Sequence, residues 1–189
     1  MSLQRSEILL SIMITNDNIE IKRIGVADVA LLSDVATRAY SDHYTHLWYD
    51  GGKWYIEKSF SAENLIHELE DINAWFFIIY YNKEAVGFLK LNINTPLPSE
   101  ENTNALELER IYLTKAVTEK RIGKYLLEHI FKIAKEKNKK LVWLKVMDSS
   151  TGAIQFYKKM GFEICSTYQL PFEIMKPEFR GMYVMKKLL

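Results

Sequence analysis

Apolar and polar residues alternate through NIEIKRI (18–24), the period-two signature of a half-buried strand. The rhythm then changes. In DVALLSDVATRA (28–39), Val29, Leu32, Val35, Ala36 and Ala39 recur at helical spacing, and Asp28 stands where an N-cap belongs. SAENLIHEL (61–69) predicts a shorter helix capped by Ser61. WFFIIYY (75–81) and AVGFLKLNI (85–93) read as strands joined by a tight turn at Asn82-Lys83-Glu84, hence a hairpin. A polar, proline-bearing loop covers 95–104. After it the pattern predicts a strand over 106–113, a helix over 122–137, a strand over 141–146, a helix over 150–160 and a strand over 162–168. A last strand-like run, GMYVMKKLL, closes the chain. In the helix over 150–160, Ser149 or Ser150 can cap the start, Ala153, Phe156 and Met160 face inwards, and Gly161 ends it in the left-handed conformation. Early strands with a central strand–helix–strand unit predict an α+β sheet with a parallel pair inside it.

One strand breaks its own pattern. In LELERIYL (106–113) the apolar positions are Leu106 and Leu108, then Ile111 and Leu113, so the parity flips. A regular strand would turn half of these residues outwards. One extra residue near Glu109-Arg110, a β-bulge, restores the face and leaves backbone N–H groups free to meet a ligand. A strand buried on both faces is the alternative.

Composition works mainly by exclusion. The chain has 189 residues, 48% hydrophobic and 26% charged, with a formal net charge of +1. That balance offers no general attraction to nucleic acid or to anionic membrane, and the basic stretch 120–140 lacks suitably interleaved aromatics. The length suits one domain over 18–189, preceded by a poorly ordered leader over 1–17, with Met13 as an alternative start. ILLSIMI (8–14) falls short of the roughly 20 apolar residues of a membrane span, and Glu7 stands where a signal peptide is basic. The lone Cys165 fits a reducing cytoplasm. His43 and His46 lack the partners that would complete a metal site, so no metal is expected.

The candidate chemistry gathers around residues 118–124. Here a basic turn, Lys120-Arg121-Ile122-Gly123-Lys124, opens an amphipathic helix whose stripe is Ile122, Leu126, Ile130, Ile133 and Ala134. Free N–H groups of a helix start, its dipole and three cations suit a diphosphate; an ordinary basic surface turn is the plainer reading. Tyr157 neighbours Phe156 on a different azimuth from the expected core stripe.

Taken together, LELERIYL, TEKRIGKYLLEHI and AIQFYKKMGF resemble the GCN5-related N-acetyltransferase (GNAT) family. TRAYSDHYTHLWYD, FSAENLIHEL, AVGFLKLN and VWLKV look most like its bacterial spermidine/spermine acetyltransferase subgroup. The resemblance implies a mixed, mostly antiparallel sheet whose parallel strands 106–113 and 141–146 splay around acetyl-CoA, flanked by helices. Backbone groups of Ile111, Tyr112 and Leu113 would hold the pantetheine arm. The turn Glu119, Lys120, Arg121, Ile122, Gly123, Lys124 would cradle the pyrophosphate, and Ser150 stands where the family often has a CoA-contacting Asn. The family's Arg/Gln-x-x-Gly-x-Gly/Ala motif reads here Thr118-Glu119-Lys120-Arg121-Ile122-Gly123. If position 121 has positive φ, its arginine costs roughly 1–2 kcal/mol.

Acetyl transfer needs a proton acceptor for an amine of pKa about 10.4 and a donor for the leaving thiolate. Glu107 or Glu109 can be the acceptor. By resemblance, Tyr157 is the general acid and also lies at the cofactor. Tyr40, Tyr44 and Trp48 can wall a cationic acceptor by ring-face attraction, and Asp50, Asp42 and Glu57 can pair with its further ammonium groups. The expected acceptor is a small-molecule amine, a polyamine first, with a protein amine as alternative. A non-catalytic acyl-CoA-binding module is the competing class, and a homodimer through an exposed C-terminal strand follows by analogy.

Overall fold

A computed structural model describes residues 18–101, 103–118 and 120–189. The leader expected over 1–17 and the cofactor role of Glu119 fall outside the described residues. Strands β1 (Ile19–Arg23), β2 (Ala74–Tyr81), β3 (Glu84–Asn92), β4 (Ala105–Leu113), β5 (Leu141–Met147), β6 (Glu163–Gln169) and β7 (Gly181–Leu188) form one sheet in the order β1-β2-β3-β4-β5-β7-β6. Only β4 and β5 pair in parallel; the other described pairs are antiparallel. The β2–β3 hairpin turns on Asn82 and Lys83, both at positive φ (50° and 69°), as a two-residue turn matched to strand twist requires.

Helices α1 (Val29–Tyr44), α2 (Lys53–Phe60) and α3 (Ala62–Glu70) cover one face, where Leu32, Phe60 and Leu65 pack with Phe76, Ile78 and Phe88. Helices α4 (Ile122–Glu136) and α5 (Thr151–Lys159) cover the other, where Leu126, Ile130 and Tyr157 pack with Phe77, Leu89 and Leu144. The stripe Ile122, Leu126, Ile130, Ile133 and Ala134 is buried as its spacing predicts. Each large side chain in it contributes about 1.5–3 kcal/mol.

Several local expectations change. Helix α1 runs to Tyr44 because Tyr40 continues its buried period; Asp28 instead accepts a hydrogen bond from the Gly25 N–H at 3.2 Å. Helix α2 follows Gly52 (φ 85°) directly, inside the aromatic stretch. In α5 the buried face is Ile154 and Tyr157, with Ala153, Phe156 and Met160 only partly buried, and Ser150 stands at the N-cap without a side-chain capping bond. The C-terminal strand is not an exposed edge: β7 is paired on both sides, by β5 and by β6, so a dimer cannot form through it without unzipping the sheet.

Candidate active site

The parallel pairing of β4 with β5 is short. It joins Ala105 to Leu141 and ends at Leu108 with Leu144. Beyond that point β4 continues on β3 as far as Leu113, while Lys145, Val146 and Met147 of β5 pair with β7. The strands therefore part, and a cavity of about 370 Å³ lies in the gap. The cause is the bulge in β4. Lys90 faces Arg110, but the next residue of β3, Leu91, faces Leu108, leaving Glu109 as the extra residue. Leu106 and Leu108 then share the α4–α5 core with Ile111 and Leu113, as the parity flip predicts.

The bulge also gathers charge. Glu109 and Arg110, adjacent in sequence, both reach groups on the α1–α3 side of the sheet. Arg110 donates two hydrogen bonds to Glu68 of α3, each 3.0 Å, and lies 3.1 Å from Glu109. Lys90 Nζ lies 2.7 Å from both Glu68 and Glu109. Two cations and two carboxylates thus close a ring around the bulge. Arg110 and Lys90 hold the Glu109 carboxyl below its ordinary value, although burial alone would raise it. Replacing Glu68 with glutamine strips both cations of a shared carboxylate; urea denaturation should show a loss of about 3 kcal/mol.

Glu107 has the opposite environment. It is 7% exposed, accepts a hydrogen bond from Asn92 Nδ2 at 2.8 Å, and its nearest cation, Lys145, is 3.8 Å away. Burial is the largest influence and raises its carboxyl above the ordinary 4.5; the Asn92 bond and the Lys145 charge only partly oppose it. Both glutamates line the cavity, so the structure separates what the strand pattern left equivalent. Glu109 holds its proton more weakly than an ordinary carboxyl and Glu107 more tightly.

Tyr157 and Ser150 line the cavity from α5. Tyr157 is 8% exposed, and burial, followed by the nearby Tyr44, holds its hydroxyl well above the ordinary 10.0. Ile111 and Tyr112 line the cavity; Leu113 does not, and its carbonyl accepts from His43 Nε2 at 3.1 Å. Lys120, Arg121 and Lys124 are exposed outside the cavity walls, with Lys124 Nζ 3.7 Å from Glu128, and Ile122 is buried in the core. The turn nevertheless abuts the site. A Cβ at Gly123 would lie 3.2 Å from Phe156 Cζ, so the start of α4 rests on the helix that carries Tyr157.

Arg121 is the N-cap of α4 with φ 59° and ψ 16°, the left-handed conformation that its missing glycine would favour. Arg121→Gly should therefore raise stability by about 0.5–1 kcal/mol, the relief of strain outweighing the extra freedom of glycine in the unfolded chain. Thermal and urea unfolding check this.

The aromatic stretch builds the opposite wall. Tyr40 stacks on Tyr55 at 4.7 Å, Trp48 on Tyr55 at 5.1 Å, and Trp48 Nε1 donates to Tyr40 Oη at 2.6 Å. Tyr40, Tyr44 and Trp48 all line the cavity. Asp50 does not. Its two oxygens accept the N–H groups of Gly52 (2.9 Å) and Trp54 (2.7 Å), which makes it a cap for α2 rather than a ligand group. Asp42 is likewise committed, to the Lys115 N–H at 2.8 Å, and neither it nor Glu57 lines the cavity. Lys58, Lys145, Phe172 and Met175 line it without having been expected. A lysine inside the apolar strand LVWLKV was the visible signal for one of them. Among the described residues no group of three or more His, Cys, Asp or Glu is placed to hold a metal ion, and no helix is long and apolar enough to cross a membrane.

This geometry has relatives. Residues 33–162 match the family model described as the acetyltransferase (GNAT) family. The chain belongs to the GNAT family of N-acetyltransferases. Within that family it is 31% identical over 107 residues to an uncharacterized N-acetyltransferase of Lactobacillus delbrueckii subsp. lactis, a match covering 57% of this chain and 62% of that protein. It is 28% identical over 162 residues to the spermidine N(1)-acetyltransferase of Thermoplasma acidophilum, covering 79% of this chain and 91% of the relative. The crystal structure of the PaiA N-acetyltransferase of T. acidophilum in complex with coenzyme A shares the fold, with a TM-score of 0.69 and 24% identity over 90% of this chain and 99% of that one.

Proposed function

We propose that this GNAT protein moves the acetyl group of acetyl-CoA to a primary amine within a ternary complex, and that the amine is a polyamine. The observation that carries the reading is the meeting of Glu107 and Tyr157 on one cavity at the point where β4 and β5 part. They come from opposite faces of the sheet, Glu107 on the α1–α3 side and Tyr157 in the α4–α5 core. A co-substrate and an acceptor can therefore meet from two directions.

The residues present fit acetyl-CoA. Beyond Leu108 the β5-facing edge of β4 has no strand partner among the described residues, so its backbone can bind an extended pantetheine arm. Lys120, Arg121 and Lys124 surround the start of a 15-residue helix, where amide hydrogens and dipole favour a diphosphate. Glu107 receives the proton of the incoming ammonium. The neutral nitrogen attacks the thioester carbonyl, and Tyr157 protonates the departing sulfur. Polyamine recognition is supported by the spermidine acetyltransferase relative and by the electron-rich faces of Tyr40, Tyr44 and Trp48.

The test is thiol release from acetyl-CoA against a panel of polyamines, simple alkylamines, amino acids and peptide amines. Turnover with spermidine at the lowest KM is the expected result. Faster turnover with a peptide amine removes the polyamine and leaves acetyl transfer standing; no acceleration by any amine removes both.

A further inference from the structure

Lys145 is the first residue of β5 beyond the last parallel pair, Leu108 with Leu144, and so stands at the point of the split. It lines the cavity with Glu107 and Tyr157. Its Nζ is 3.8 Å from Glu107 Oε1, and its side chain keeps 31% exposure. The same ammonium lies 5.2 Å from the ring centre of Trp143 and 5.0 Å from that of Tyr168. A primary alkylamine resting between aromatic rings and a buried carboxylate is the arrangement required of an acceptor, and here the chain supplies it.

We infer that Lys145 is an acetylation site of the protein itself, modified on Nζ from acetyl-CoA in its own cavity when no external amine occupies it. The inference rests on the roles given above to Glu107 and Tyr157. Glu107 takes one proton from the ammonium and passes it to solvent. The freed lone pair attacks the thioester carbonyl carbon, the C–N bond forms and the C–S bond breaks. Sulfur leaves with the bonding pair and takes the Tyr157 proton, and the second proton lost by nitrogen restores Tyr157. The products are an amide, free CoA and one released proton. No further reactant is needed.

Lys58 provides a control within the same cavity. It also lines the wall, but its ammonium lies over Trp54 (4.6 Å) and Phe172 (5.0 Å), and no ion pair joins it to a carboxylate among the described residues. Lys135 and Lys140, exposed on the surface, report spontaneous acetylation by the thioester.

The full chain is incubated with deuterated acetyl-CoA and no amine, digested, and each lysine is followed by mass spectrometry. Parallel samples measure CoA release with spermidine. Lys145 should label at least about tenfold faster than Lys135 and Lys140, because its effective concentration at the thioester is fixed by the fold. Tyr157→Phe and Glu107→Gln should each bring Lys145 down to about the rate of the surface lysines, which stay unchanged. Excess spermidine should protect it. Labelling of Lys145 no faster than at the surface, or unaffected by either substitution, overturns the inference. Turnover of spermidine with Lys145 unlabelled overturns it while the proposed function stands; absence of both reactions overturns both.

Discussion

Tyr157→Phe should lower kcat for acetyl transfer by about 10²–10³-fold while CoA affinity stays within about twofold. The substitution removes one hydroxyl and keeps a ring packed against Phe156 at 5.4 Å and Phe162 at 5.7 Å, so the fold has little to lose. Burial keeps the phenol protonated across the whole assay range. In the role proposed above the hydroxyl is present to lend its proton at every assay pH, so its loss should appear in the chemical step rather than in binding. Thiol-release kinetics and titration calorimetry with CoA separate the two. A kcat within threefold of the parent would remove Tyr157 from the chemistry.

Glu107→Gln should lower kcat/KM by about 10²–10³-fold and also change the pH profile. In the parent protein Glu107 must be ionised to accept a proton. Since burial raises its carboxyl, the acidic limb of kcat/KM should lie above the ordinary 4.5, and the glutamine variant should lack it. The stability effect has the same origin. A raised folded pKa means the native state holds this proton more tightly than the unfolded chain. The contribution is complete below the ordinary value and fades as pH rises through the folded one. Glu109 runs the other way, being depressed by Arg110 and Lys90. Its contribution is present above 4.5 and disappears as acid passes its lower folded value. Glu109→Gln should accordingly be the variant that loses stability at neutral pH, without loss of the acidic activity limb. An unchanged limb in Glu107→Gln would hand the proton to another acceptor.

The bulge was legible in the strand because a parity flip leaves only a few physical solutions, and burial selects among them. The strand–helix–strand unit and the hairpin were legible for a similar reason: period and turn chemistry are local. Arg121 shows where local reading halts. Its letter departs from the glycine of the family pattern, but whether that departure costs anything depended on φ at one residue, now seen at 59°. Asp50 shows the opposite failure. A carboxylate among aromatics reads as a ligand for a cation, yet a helix starting three residues later claims both of its oxygens.

By itself the amino-acid order indicated most of the elements, the bulge, the basic helix start and the family resemblance, because each depends on residues near one another along the chain. The tertiary structure alone decided which way each glutamate's proton affinity moves. Glu107 and Glu109 are two positions apart on one strand and both are largely buried; Arg110 and Lys90 lie close enough to Glu109 to outweigh its burial, whereas Glu107 has the Asn92 bond and a more distant Lys145. Proton affinity follows distance through space to charge and water, and that distance exists only once the sheet has closed.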